Sequence, residues 1–145
     1  MRKISDDLVS VIGYGTFITR GIWKDKKNVE VCFIKDYIRI FPRGSWFPYV
    51  LPCRGGSFYA LKFDVTKQEL KNLDKYEGVY ENYFKLEEVE GYKKDNQLFK
   101  AYIYLPTEDT IKELKLSVEL DKNDNWKEEI KKFPEVLNKF PELGI

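Results

Sequence analysis

The stretch ELKNLDKYEGVY, Glu69 to Tyr80, places an acid where an apolar side chain is expected. Leu70 and Leu73 mark the apolar face of a short helix, and Glu77 follows them by seven and four residues. At about 100° per residue the three side chains share one face. Gly78 supplies a left-handed stop. A carboxylate turned toward apolar surface is pushed toward neutrality by three effects. Desolvation disfavours the anion, the negative end of the helix dipole does the same, and Asp74, one turn back, adds like charge. That is the profile of a general acid/base. A frayed last turn that swings Glu77 into solvent is also compatible with the spacing.

A second stretch with chemical content is GYGTF, Gly13 to Phe17. A strand ending in a glycine turn presents successive backbone N–H groups, a nest suited to a carboxylate or a developing oxyanion. Gly15 would let the backbone approach a ligand closely. The stretch is neither a GxGxxG dinucleotide fingerprint nor a P-loop. A tight turn with a purely structural role has the same pattern. Tyr83, in ENYFKL, follows the helix and reads either as a hydroxyl turned back toward Glu77 and a ligand or as a core tyrosine.

The chain of 145 residues contains no histidine. Ser-His-Asp and Cys-His catalysis, His-metal sites and imidazole proton transfer are therefore excluded. A carboxylate is the foremost remaining proton carrier. The two cysteines, Cys32 and Cys53, form neither a CxxC pair nor a zinc pattern. Reduced, packed thiols and no metal site are expected. Lys and Arg number 25 against 24 Asp and Glu, a formal net charge of +1. No basic excess points to nucleic acid, and KDKK at Lys24 to Lys27 reads as solvated surface. No run approaches the ~20 apolar residues that span a bilayer, and the N-terminus lacks a signal peptide's apolar segment. A soluble, cytoplasmic protein is expected.

Several elements must position these residues. SVIGYGTF reads as a strand running into a loop. NVEVCFI (28–34) and DYIRIF (36–41) read as two further strands. SFYALKFDV (57–65) is a strong strand, with Tyr59, Leu61, Phe63 and Val65 on one face. Between them PRGSWFPYVLPCRGG (42–56), with its prolines and glycines, reads as a long loop. Thr66 and Glu69 form a T-x-x-E capping box at the start of the helix. NYFKLEEVEGY (82–92) and LFKAYIYLP (98–106) read as strands joined by a polar turn. From about residue 107 the composition turns to Lys, Glu and Leu. There Trp126, Ile130 and Phe133 stand at helical spacing, an aromatic face that packs a helical tail onto the sheet. The order predicts one α+β domain over residues 1–145 with a mixed or barrel-like sheet.

Taken together, YGTF, the helix ending L-D-x-x-E-G and the aromatic strand after it resemble the gamma-glutamylcyclotransferase-like family. YGTF is similar to that family's Y-G-[ST]-L loop. GGSFYALKFDVTKQELKNLDKYEGVYENYFKLEEV is similar to its second block, and FPYVLPCRGG to the Pro-rich loop before it. The resemblance covers about Val11 to Leu105. It implies a small mixed β-barrel with flanking helices. It implies that Glu77 is the catalytic acid/base and that Tyr14, Gly15, Thr16 and Phe17 bind substrate, with Tyr83 a further candidate. The implied reaction is cofactor-free cyclisation of a γ-glutamyl group to 5-oxoproline with release of an amine, so the implied partner is a small γ-glutamyl compound. The alternative is a small-molecule-binding module of the same fold without turnover. The chain departs from the pattern at Phe17, where Leu is usual, and at Lys85, where the strand motif carries Arg. The released amine and the oligomeric state are not specified by the sequence.

Overall fold

The structure, a computed structural model, describes residues 8–42, 45, 47–118 and 125–145. Five strands close a barrel in the order β1-β3-β2-β4-β5. They are β1 (Val9–Gly13), β2 (Lys27–Ile40), β3 (Tyr49–Val65), β4 (Phe84–Lys93) and β5 (Leu98–Pro106). Every neighbouring pair is antiparallel except β1 and β5, which close the barrel in parallel through Val11 and Tyr102. The flanking helices are α1 (Thr16–Thr19), α2 (Lys67–Tyr76), α3 (Glu108–Leu114), α4 (Trp126–Ile130) and α5 (Pro134–Lys139). This is the expected α+β architecture, a small mixed barrel with helices around it.

Side-chain alternation gives the barrel two cores. Ile12, Ile34, Ala60, Val89 and Ile103, one from each strand, belong to one buried cluster. The alternate residues of the same strands, such as Val11, Val31, Leu61 and Phe63, join the helices in a second, larger cluster. Strand β3 is therefore buried on both faces, with Phe58 and Ala60 as well covered as Leu61 and Phe63. Trp126 and Ile130 of α4 are fully buried in the larger cluster, as the spacing predicts. Phe133 lies beyond α4 and caps α5 instead. Trp126 Nε1 donates to Leu143 O at 2.9 Å, which ties α4 to the end of the chain.

Two expectations need correction. The stretches 28–34 and 36–41 form one strand, β2, interrupted by a bulge. Asp36 has φ 68° and the pairing with β3 shifts between Lys35 and Tyr37. The long loop over 42–56 is shorter than predicted, because β3 already begins at Tyr49. Its breakers serve the bulge instead of a loop. Pro52 pairs opposite Tyr37, and the Gly55 N–H donates to Asp36 Oδ1 at 3.1 Å. A Cβ on Gly56 would lie 2.3 Å from Ile38 Cγ2, so only glycine lets the strands cross there.

The parallel seam decides where the site forms. Because β1 and β5 run the same way, the loop after Gly13 and helix α3 leave from one end of the barrel. Strand β4 is antiparallel to β5 and pairs Phe84 with Pro106, so it enters at that same end. Helix α2 reaches it from β3. Among the described residues no helix is long and apolar enough to cross a membrane.

Candidate active site

Helix α2 starts and stops as its sequence directs. Thr66 Oγ1 accepts from the Glu69 N–H at 3.1 Å and Glu69 Oε1 accepts from the Thr66 N–H at 2.8 Å, a complete capping box. At the other end Gly78 adopts φ 71°. Its N–H donates to Lys75 O at 3.2 Å, and the Val79 N–H to Asp74 O at 2.9 Å. This paired bonding is the Schellman stop. It makes Glu77 the C-cap of the helix, with its N–H still on Leu73 O at 2.9 Å. The last turn is closed by these bonds.

Glu77 lines a cavity of about 510 Å³ at the barrel mouth, together with Tyr14, Gly15, Thr16, Phe17 and Tyr83. All six residues singled out in the sequence thus face one space. Phe47, Pro48, Tyr49, Tyr76, Phe84 and, from α3, Thr110 and Leu114 complete much of the wall. These were not identified from sequence, because they come from four separated segments. The repeated aromatics on either side of the barrel strands were the available signal. Burial raises the Glu77 carboxyl from 4.5 to about 7. Asp74, expected to add like charge, is occupied elsewhere: its Oδ1 accepts from Tyr104 Oη at 2.6 Å.

Tyr14 is almost fully buried and its Oη donates to Tyr104 O at 2.6 Å. Its phenol is held well above the usual range by burial first and then by the Glu77 charge. That coupling puts the Tyr14 ring and the acid in one electrostatic environment. The Tyr14 carbonyl lies 3.5 Å from Arg39 Nη1, which also donates to Tyr59 O at 3.3 Å. Arg39 is only 6% exposed, and its guanidinium sits 4.6 Å from the Trp126 ring. A buried arginine thus links the tail helix to the start of the loop. A lone charge inside the apolar run YIRIF was the sequence signal for it.

The Gly15 carbonyl accepts from the Ile18 and Thr19 N–H groups at 2.9 and 3.1 Å. The N–H groups of Gly15, Thr16 and Phe17 have no hydrogen-bond partner among the described residues. They are the donors left over at the first turn of α1. Packing also calls for glycine at position 15: a Cβ there would lie 2.9 Å from the Pro48 ring. Tyr83 is not a core residue. It is 56% exposed, and its ring covers Gly78, where a Cβ would come within 2.7 Å of Tyr83 Cδ2.

Arg20, Lys75 and Glu81 also line the cavity, and neither cation is ion-paired among the described residues. Lys85, which replaces the family's arginine, pairs with Glu87 at 3.2 Å and does not line the cavity. Cys32 and Cys53 are free thiols. Among the described residues no group of three His, Cys, Asp or Glu could hold a metal ion.

The sequence profile of the family described as gamma-glutamyl cyclotransferase, AIG2-like, matches residues 11–128. The chain belongs to this family. Solved structures share its fold at low identity. One is a gamma-glutamyl cyclotransferase (18% identity, TM-score 0.59, covering 70% of this chain and 68% of that one). Another is an Arabidopsis thaliana protein solved in solution (18%, TM-score 0.69, 96% and 85%). A third is a yeast gamma-glutamyl cyclotransferase specific to glutathione (14%, TM-score 0.58, 92% and 88%). At these identities the likeness is one of fold. No functionally curated protein matches the chain significantly.

Proposed function

We propose that this member of the family is a cofactor-free γ-glutamyl cyclotransferase with Glu77 as its acid/base. The observation that carries the reading is the Glu77 carboxyl, raised to about 7 by burial, on the wall of the cavity that Tyr14 to Phe17 also line. Near neutral pH such a group is ionised in part of the molecules, yet basic enough to accept a proton.

In the proposed reaction the substrate's α-amine reacts as the neutral –NH2, and the Glu77 carboxylate takes one of its two protons. The freed nitrogen attacks the γ-carbonyl carbon and closes a five-membered lactam. Negative charge develops on the carbonyl oxygen, and the unpaired N–H groups of Gly15, Thr16 and Phe17 are the donors available to hold it. The C–N bond to the leaving amine then breaks, and protonated Glu77 returns its proton to that nitrogen. The products are 5-oxoproline and a free amine. No external reagent is consumed, because nucleophile and electrophile belong to one molecule and the cavity's contribution is alignment.

The test is incubation with a panel of γ-glutamyl peptides and amides, with 5-oxoproline as the readout. Release that disappears in Glu77→Gln supports the reading. Binding of the same compounds without 5-oxoproline would make the protein a binding module of this fold.

A further inference from the structure

The cavity is divided along its depth. Its inner part is built from buried residues: Tyr14, Phe17, Tyr49 and Phe84 are each no more than 7% exposed. Besides the exposed charges of Arg20, Lys75 and Glu81, its outer rim carries large apolar side chains left open to solvent. Tyr76 is 42% exposed, Tyr83 56% and Leu114 49%, and the half-buried Phe47 lines the same cavity. Exposed apolar side chains gathered around one opening mark a ligand surface more often than scattered ones do.

The rim is also held in place. The Tyr76 ring packs against Phe17 with centroids 5.9 Å apart. Tyr83 lies on Gly78, with its N–H on Gly78 O at 3.0 Å. The Phe47 ring rests 5.3 Å from that of Tyr49. Rings fixed in this way lose little freedom when a ligand covers them. A cavity of about 510 Å³ is of the size that takes a drug-like molecule and is far larger than a γ-glutamyl group alone. In the cyclisation the departing nitrogen is bonded to the carbon of the γ-carbonyl, on the side opposite the closing ring. With the α-amine at Glu77, the rest of the leaving amine extends away from the acid.

We propose that Phe47, Tyr76, Tyr83 and Leu114 form a leaving-group subsite that selects γ-glutamyl amides of large apolar amines, aromatic ones above all. This rests on the cyclotransferase reading and adds the class of amine. A flat ring inserted among these side chains gains area burial and edge or offset contacts that a methyl group cannot make.

The experiment compares γ-glutamyl anilide with γ-glutamyl methylamide. Calorimetric titration into Glu77→Gln measures binding without consuming either compound. The anilide is expected to bind about tenfold more tightly. In Tyr76→Ala or Leu114→Ala, each combined with Glu77→Gln and checked for an intact melting transition, that ratio falls to about two or three. Equal affinities in the parent chain, or an unchanged ratio in both rim variants, overturn the subsite. Release of 5-oxoproline by the native chain is measured separately. Release from both amides without preference leaves the reaction standing and removes the subsite. Preferential anilide binding without release from either amide keeps the aromatic subsite and removes the reaction.

Discussion

Tyr104 Oη donates to Asp74 Oδ1 at 2.6 Å, and this one bond fastens the last turn of α2 to strand β5 three residues before Glu77. Burial and the Asp74 charge together hold the Tyr104 phenol far above its ordinary range. Tyr104→Phe keeps the fully buried ring and removes only the tether. A hydrogen bond to a charged acceptor contributes about 1.5–3 kcal/mol. Urea unfolding should show a loss of that size, and a smaller one for Asp74→Asn, which keeps an acceptor. Equal stability of Tyr104→Phe and the native chain would mean that water replaces the bond at no cost.

Glu77→Gln should lower kcat by about 10²–10⁴-fold on any γ-glutamyl compound that turns over, the usual worth of general acid–base assistance. Its effect on stability follows from linkage. The folded carboxyl titrates near 7 and the unfolded one near 4.5. Folding is therefore favoured by Glu77 below pH 4.5, and that contribution is lost as pH rises through 7. Above pH 7 the glutamine variant should be the more stable, by at most about 3 kcal/mol. At pH 4 the two should melt together. A variant less stable than the native chain at pH 8 would show Glu77 to be a structural group.

The same titration fixes the direction of the pH profile. A base must be ionised to act, so kcat/KM should rise with pH through about 7 and then level off. The profile is measured on the free enzyme at low substrate concentration. A rate that falls across this range would require the protonated carboxyl to be the active form.

Gly78→Ala tests the end of α2. The position has φ 71°, and the new Cβ would meet Tyr83 Cδ2 at 2.7 Å. The left-handed conformation alone costs a non-glycine residue about 1–2 kcal/mol. The variant should lose at least that much in denaturant unfolding. Because Tyr83 must move, its affinity for a rim-binding ligand should fall as well. A drop in stability with ligand affinity intact would separate the cap from the rim.

Trp126→Ala removes a fully buried ring, its bond to Leu143 O and the surface under the Arg39 guanidinium. A loss of about 3–5 kcal/mol is expected, as for other buried aromatics cut to alanine. Trp126→Phe keeps a ring for Arg39 and should recover much of it. Thermal unfolding of both variants distinguishes a packed tail from a dispensable one.

What could be read from the chain followed from local chemistry. The capping box at Thr66 and Glu69, the stop at Gly78 and the strand Leu98–Pro106 depend on neighbours within one element, and each is where the sequence puts it. The phase of Glu77 with Leu70 and Leu73 was legible for the same reason. The strand through Pro52, Gly55 and Gly56 was hidden because its breakers answer to a bulge at Asp36, on another strand. The packing constraint at Gly15 was hidden similarly: the atoms that forbid a side chain there belong to Pro48. The rim of Phe47, Tyr76 and Leu114, and the bridge from Trp126 through Arg39 to Tyr14, join segments far apart in sequence. Such pairings appear only once the barrel closes.

The Tyr14 hydroxyl has one proton, and Tyr104 O holds it. Whatever meets this phenol from the cavity side finds lone pairs and no donor. The ionised Glu77 nearby likewise offers only lone pairs. A group with spare N–H bonds can satisfy both. An ammonium or amine carries such bonds, and a carboxylate, an ether or an alkyl chain does not. Under the proposed reaction these two oxygens would meet the nitrogen end of a substrate, while the loop N–H groups and the Arg20 and Lys75 cations lining the same cavity would meet its carboxylate.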